Sequence, residues 1–282
     1  MTNQSHPFFT IIIAVFNNSK TIQQCIDSVS QQTYTNKQLI IIDGGSTDGT
    51  VELLKANNNA INYWISESDN GIYNAWNKAL LKAEGDWICF LGADDYLWDA
   101  HVLENMNQAL EKTPSDIKVV YGQIMFLSEA GESLYLSGNS WDSAKQSFTQ
   151  VPSIPHTATM HKRIFFEQHG KFDETFRIAG DYEMLLRELK TGNALFIPTL
   201  ISAGMRRAGL SSNPNNSLLS MKEMRRAQKI HGLRFPGFLW IKALLRVYIR
   251  LLLSKIFGDS SSRKLIDFFR QIMGLPAYWT KI

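Results

Sequence analysis

From Thr10 the chain reads TIIIAVF, an unbroken apolar, β-branched run that predicts a strand buried on both faces of a parallel sheet. Within Thr21–Gln32, apolar residues recur at Ile22, Cys25, Ile26 and Val29, the spacing of an amphipathic helix. The alternation then repeats. Gln38–Asp43 (QLIIID) predicts a second buried strand, followed by the turn GGSTDGT and a helix over Val51–Ala56. Tyr63–Ser66 predicts a short strand, Ile72–Ala83 a helix, Trp87–Leu91 a strand ending in GADD, and Val102–Lys112 a further helix. This order predicts an α/β fold with a mostly parallel, doubly wound sheet. Ligands of such sheets bind beyond the carboxyl ends of the strands, where the aspartate-rich turns fall.

After Lys118 the rhythm changes. VVYGQIMFL and GESLYLSG predict a hairpin pair, and Pro152 and Pro155 bracket a loop. Ile164–His169 and Tyr182–Thr191 read as helices, and LFIPTLISAGM as a late strand. From Ser217 onward the pattern is helical, with breaks expected at Pro236, around Gly258–Ser262 and at Pro276. The expected division is a main domain over 1–216 and a helical C-terminal extension over 217–282.

Composition adds bounds. With 282 residues, 44% hydrophobic and 20% charged, the chain can bury a core without disulfide or metal staples. Cys25 and Cys89 lie in apolar surroundings without CxxC spacing and read as reduced core thiols. The start, MTNQSHPFFTIIIAVFNN, lacks a basic n-region and a small-residue cleavage site, so no signal peptide is expected. The net charge of +3 is too small to imply a nucleic-acid partner. Its distribution says more: between Met205 and Arg270 fourteen Lys and Arg face three acids, Glu223, Asp259 and Asp267. The tail is therefore suited to an anionic surface, and the body before it is net acidic.

Five acidic residues at four sites could carry chemistry. Asp43, at a strand end, can accept from a base N–H or a ribose hydroxyl, or can simply shape an Asp-Gly turn. Asp94 and Asp95 follow the strand WICFL. They are either hard ligands for Mg²⁺ or Mn²⁺, completed by substrate phosphates and water, or acids at a helix start. Asp181, in RIAGDYEMLLREL, and Asp69, in SESDNGIYNAWNKAL, both sit where an N-cap belongs. His156 and His161 have no third ligand at zinc spacing. There is no GxxxxGK[ST] or GxGxxG motif, which removes the main support for a P-loop enzyme or a dinucleotide dehydrogenase.

In order, TIIIAVFNNSKTIQQCIDSVSQQTY, IDGGSTDGT, SDNGIYNAWNKAL, FLGADD and AGDYEMLLREL resemble glycosyltransferase family 2 on a GT-A fold. Within that family the chain is similar to bacterial enzymes that assemble O-antigen, capsule and related surface polysaccharides. The resemblance covers about Phe9–Ser212. It implies that Asp43 contacts uracil or ribose, that backbone at Ala14, Val15 and Phe16 lines the base pocket, and that Asp69 and Asn77 border the nucleotide. It further implies a diphosphate and Mn²⁺ or Mg²⁺ site at Asp94 and Asp95, and a catalytic base at Asp181. His156 would lie on the acceptor side and Arg206 near the diphosphate. Three residues depart from the pattern: Ala14 stands for a usual Pro, Gly44 for a frequent second acid, and Gly92 for the first carboxylate of DxD.

The implied reaction moves one sugar from a nucleotide-diphosphate donor, expected to be UDP-linked, to a hydroxyl of a lipid-linked glycan, with inversion. A catalytically silent GT-A domain that binds nucleotide or acts as a scaffold is the alternative. A sugar-nucleotide pyrophosphorylase would want a Gly-rich basic loop that VFNNSKT lacks. In the tail, Phe238–Phe257 is strongly apolar but carries Lys242, Arg246 and Arg250 at every fourth position. Cations at a bilayer centre cost about 2.5–3.5 kcal/mol each, so a helix lying on an anionic membrane fits better than one spanning it. Packing in a core or a dimer is the competing reading. The expected location is the cytoplasm, peripheral at the inner face of the cytoplasmic membrane.

Overall fold

The computed structural model describes residues 7–206, 216–272, 274 and 279–281. The break expected at Pro276 lies outside the described residues, as do the first six residues of the start. The first half follows the predicted alternation. Strands β1 (Phe9–Val15), β2 (Lys37–Asp43), β3 (Tyr63–Ser66) and β4 (Trp87–Gly92) are separated by helices α1 (Ile22–Ser30), α2 (Thr50–Ala56) and α3 (Ile72–Leu80). All four strands run parallel in the order β3-β2-β1-β4. Ile11 and Ile13 of β1 pack on one face with α1 and α2 residues such as Cys25, Ile26 and Leu54, while Ile12 packs on the other with Tyr73 and Trp76 of α3. That two-sided burial explains the unbroken apolar runs.

Beyond β4 the sheet is mixed. After β5 (Tyr96–Leu97) and α4 (Val102–Leu110) come β6 (Val119–Leu127), β7 (Ser133–Ser137), α5 (Trp141–Phe148) and β8 (Met160–Lys162). Then follow α6 (Arg163–His169), α7 (Gly180–Leu189) and β9 (Leu195–Arg206). The sheet continues β4-β8-β6-β9-β5, with β7 pairing β6 as the predicted hairpin. β8 is antiparallel to both β4 and β6, and β9 is parallel to β6. Sequence patterning did not foresee β5, α5 or β8.

The tail consists of α8 (Ser217–Ile230), α9 (Phe238–Phe257) and α10 (Asp259–Ile272). α8 packs into the body: Met221, Glu223, Arg225, Ala227 and Gln228 are buried. Gln228 donates to the Gln150 carbonyl, and the Arg225 guanidinium donates to the carbonyls of Leu233 and Arg234. α9 has no buried residue; Phe238, Ile241, Leu245, Tyr248, Leu252 and Ile256 are exposed at three- and four-residue steps, one apolar stripe. Lys242 and Arg246 are exposed beside it. Arg250 departs from the expected basic stripe: it donates to the Ser217 hydroxyl at 2.6 Å and lies over the Trp279 ring. The break before α10 is a single residue, Gly258, at φ 75°. Among the described residues no helix is long and apolar enough to cross a membrane.

Candidate active site

Register brings the aspartate-rich turns level. Val15 pairs with Asp43, Asp43 with Ser66, and Ala14 with Gly92, so the carboxyl ends of β1 to β4 open onto one edge. Phe16, the next residue after β1, is 63% exposed. Asn17 follows at φ 48°, a left-handed conformation that Asn tolerates. Its backbone N–H donates to the Ser46 hydroxyl and its side-chain oxygen accepts from Thr47 N–H, lacing the first turn to the second. A Cβ on Gly44 would come within 2.8 Å of the Asp69 carboxylate and 3.3 Å of the Phe16 ring. Asp69 therefore fills the space beside Gly44, supplying a carboxylate at the turn that lacks its second acid. Phe16 offers an exposed aromatic face next to that carboxylate, suited to stacking a base above a ribose.

Asp43 is wholly buried and organises the turn from within. Its carboxylate accepts from Gly45 and Ser46 N–H and from the hydroxyls of Ser46 and Ser66. A direct contact with a nucleotide would require one of those hydroxyls to turn away.

Asp94 and Asp95 close the next strand end. Asp95 is buried, accepting from Arg206 N–H at 3.1 Å and the Thr157 hydroxyl at 3.3 Å. Arg206 also donates to the Asp94 carbonyl at 2.7 Å and to Gln24, so the end of β9 is clasped to this turn. Burial pushes both carboxyls above the usual range. Asp95 reaches about 8, helped by the charge of Asp94, while the Arg206 guanidinium pulls Asp94 back down. A Cβ on Gly92 would meet Asp94 Oδ1 at 2.8 Å and Asp95 Oδ2 at 2.9 Å. Both carboxylates thus converge over a residue without a side chain. Two hard oxygen donors, held together at an electrostatic cost that a cation relieves, fit Mg²⁺ or Mn²⁺. No group of three or more His, Cys, Asp or Glu suited to a metal occurs among the described residues. Such a site would take its remaining ligands from substrate and water.

Asp181 lies in the first turn of α7 and is half-buried. Burial raises its carboxyl to about 6, against the pull of hydrogen bonds from Tyr182 N–H and the Tyr73 phenol. Ala179, the residue before the helix, makes no side-chain cap. The Tyr73 oxygen does that work across the fold, accepting from Gly180 N–H at 2.8 Å and Asp181 N–H at 3.3 Å. Tyr73 stands in the first turn of α3, just beyond Asp69, and so links the turn at Asp69 to Asp181.

Two of the sequence-derived candidates point elsewhere. The Asn77 amide is buried and clamps a distant loop, exchanging hydrogen bonds with the Phe172 backbone and donating to Glu174. His156 is half-buried in an aromatic cluster, stacked on Trp76 and Phe90, with burial holding it neutral at about 3. Its Nε2 has no partner. Val15 is buried in the sheet and Ala14 half-buried, so only their backbone is available to a ligand.

Residues 10–188 match the family model described as Glycosyl transferase family 2. The chain belongs to glycosyltransferase family 2. Among family 2 relatives, a PGL/p-HBAD biosynthesis glycosyltransferase of Mycobacterium bovis is 32% identical over 185 residues, covering 64% of this chain and 69% of that protein. An uncharacterized glycosyltransferase of Rickettsia typhi is 26% identical over 200 residues, covering 69% and 62%. The fold is that of S. aureus TarS 1-349 in complex with UDP-GlcNAc, at TM-score 0.62 and 17% identity, covering 78% of this chain and 66% of that one. This chain therefore spans a little under two thirds of that neighbour's length. The mannosyltransferase PcManGT from Pyrobaculum calidifontis, in complex with GDP-Man and Mn²⁺, aligns over 98% of this chain and 84% of its own at TM-score 0.58 and 17% identity.

Against the family 2 pattern, three contacts were absent from the sequence reading: Tyr73, Thr157 and Glu223. Glu223 of α8 is buried and accepts from Arg177, Ile178 and Ala179 N–H at 2.8–2.9 Å, at the entrance to α7. Its one sequence signal was rarity, an acid in a strongly basic segment.

Proposed function

We propose that the chain is an inverting glycosyltransferase that moves one sugar from a nucleotide-diphosphate donor to an acceptor hydroxyl. The observation that carries this reading is the separation of two carboxylate sites by environment: Asp94 and Asp95 converge over Gly92, while Asp181 stands apart from them with its carboxyl near 6. Groups divided in this way serve different steps. Phe16 would stack on the base, Asp69 would accept from the ribose hydroxyls, and Arg206 would face the diphosphate. Asp94 and Asp95 would hold Mn²⁺ or Mg²⁺, which when bound supplies positive charge against the departing diphosphate. Asp181, ionised above pH 6, takes the acceptor proton as the hydroxyl attacks the anomeric carbon from the face opposite the diphosphate. A single displacement of this kind inverts the centre and needs no covalent nucleophile. Asp43, Asn77 and His156 support this arrangement from behind, holding the turn and the aromatic packing.

The donor favoured is a UDP-sugar. The acceptor favoured is a lipid-linked glycan in surface polysaccharide or glycolipid assembly, met at the inner face of the membrane; the exposed apolar stripe of α9, with Lys242 and Arg246 beside it, supports that setting. A panel of UDP-, GDP- and dTDP-sugars, each assayed for nucleotide release with Mn²⁺, tests the proposal. One donor class should be turned over and should bind in a metal-dependent way. Binding without turnover across the whole panel would instead support a silent nucleotide-binding domain.

A further inference from the structure

The segment entering α7 is held from two sides by residues far away in sequence. From α3, the Tyr73 oxygen accepts from Gly180 and Asp181 N–H. A Cβ on Gly180 would meet the Tyr73 ring at 2.8 Å, so the phenol can reach the helix start only because that residue is glycine. From α8, Glu223 places a buried carboxylate over three successive N–H groups, Oε1 on Arg177 and Oε2 on Ile178 and Ala179. Together the two side chains satisfy the five consecutive backbone donors from Arg177 to Asp181. The start of a helix leaves such donors unpaired, and an anion there is favoured by both hydrogen bonding and the helix dipole.

We propose that Glu223 is a positioning residue for Asp181, so that α8, beyond the region matched to the family model, completes the catalytic geometry. This inference rests on the reading of Asp181 as the base. Glu223 acts in two ways. It fixes the turn that sets the direction of the Asp181 side chain, and its negative charge disfavours a second charge at Asp181. The groups facing Asp181 are Tyr73 from α3 and Glu223 from α8. On its own helix, Glu183 is paired with Arg187 at 2.6 Å and His231 at 2.8 Å. Beside Glu223, an open groove of about 330 Å³ is lined by the exposed cations Arg177, Lys222 and Arg226, none of which forms an ion pair with Glu223 among the described residues. Burial is the main cause of the raised Asp181 carboxyl, and Glu223 adds a small contribution in the same direction.

The test compares Glu223→Gln, Glu223→Asp and Asp181→Asn in the full chain. Turnover is read as nucleoside diphosphate release from whichever UDP-, GDP- or dTDP-sugar the donor panel selects. Glu223→Gln keeps the shape but presents an amide N–H₂ to a backbone donor and removes the charge. Its plateau kcat should fall by about 10–100-fold from misplacement of the base, with donor KM within about twofold, and its acid limb should move slightly to lower pH. Glu223→Asp keeps the charge but withdraws the carboxylate by one methylene. Its kcat should fall while its acid limb stays in place, and it carries the test if the glutamine variant does not fold. A lower melting temperature with unchanged kcat and acid limb in the variants that fold would make Glu223 a purely structural cap and overturn the inference. Should Asp181→Asn itself retain turnover, the base assignment fails first. If Asp181→Asn is inactive while Glu223→Gln behaves as wild type, only the positioning role falls.

Discussion

At the scale of single residues, Asp181 concentrates the argument, because its environment makes opposite demands on activity and stability. If Asp181 is the base it must be ionised, and turnover should then fall by about tenfold per pH unit below its carboxyl value near 6. Asp181→Asn keeps the hydrogen-bond geometry but cannot take a proton. We expect kcat to drop by about 10²–10⁴-fold with donor affinity retained. Stability runs the other way. The folded carboxyl titrates near 6 and an unfolded one near 3.9, so the folded state binds the extra proton between those values. Its contribution is therefore complete below pH 4 and is lost as pH rises through 6. At 1.36 kcal/mol per unit, reduced for partial access to water, about 2 kcal/mol is at stake. Asp181→Asn should thus melt several degrees higher than wild type at pH 8 and about equally at pH 4. A variant that melts lower at pH 8, or that turns over normally, would return Asp181 to the role of a helix cap. Asp181 was legible because its motif is local, whereas Tyr73 and Glu223 reach it across sequence separations of 108 and, to Ala179, 44 residues. No periodicity encodes such pairs.

Among the elements, legibility follows burial. The parallel strands β1, β2 and β4 are buried on both faces and announce themselves as isoleucine- and leucine-rich runs. β8 has three residues and β5 two, and both exist through the strands beside them: β8 bridges β4 and β6, and β5 borders β9. α5 carries only Trp141, Ala144 and Phe148 as buried residues in a serine-rich stretch, too thin a stripe to stand out. The end of β4 shows how an element can matter through what it lacks. Gly92 is visible in sequence as a departure from DxD, but the convergence of Asp94 and Asp95 above it arises only in the folded turn. Gly92→Ala should leave the strand intact while its methyl splays the two carboxylates. We expect the Mn²⁺ concentration for half-maximal turnover to rise by about 10–100-fold, as for other losses of support around a metal site, with little change in melting temperature. Full activity of metal-stripped wild-type protein in EDTA would remove the ion from the proposal, and unaltered Mn²⁺ dependence in Gly92→Ala would remove the cradle.

On the scale of the whole molecule, charge and architecture divide at different places. Composition set the change from acidic body to basic tail near Met205, and the helical pattern set the extension at Ser217. Packing draws a later line. α8 is tied to the body through Glu223, Ala227 and Gln228, whereas α9 has no buried residue and exposes a run of large apolar side chains from Phe238 to Phe257. Removing the chain from Ser217 would therefore take away the Glu223 contacts at the start of α7 together with α9 and α10, and would confuse two effects. A chain ending at Pro236 keeps the Arg225 contacts to Leu233 and Arg234 and removes α9, α10 and the short turn at Trp279–Lys281. If the apolar stripe of α9 lies in a headgroup layer with Lys242 and Arg246 toward anionic lipid, the full chain should sediment with phosphatidylglycerol-containing vesicles. That binding should weaken as salt rises from 50 to 500 mM (about a threefold shortening of the Debye length), while the apolar contribution persists. The chain ending at Pro236 should stay in the supernatant and still turn over a soluble acceptor or hydrolyse donor at an unchanged rate, because no residue of the cleft is lost. Retained vesicle binding by the shortened chain would place the lipid contact on the body. If neither form binds vesicles and the full chain sediments in the ultracentrifuge as a dimer, the stripe is a surface between copies instead.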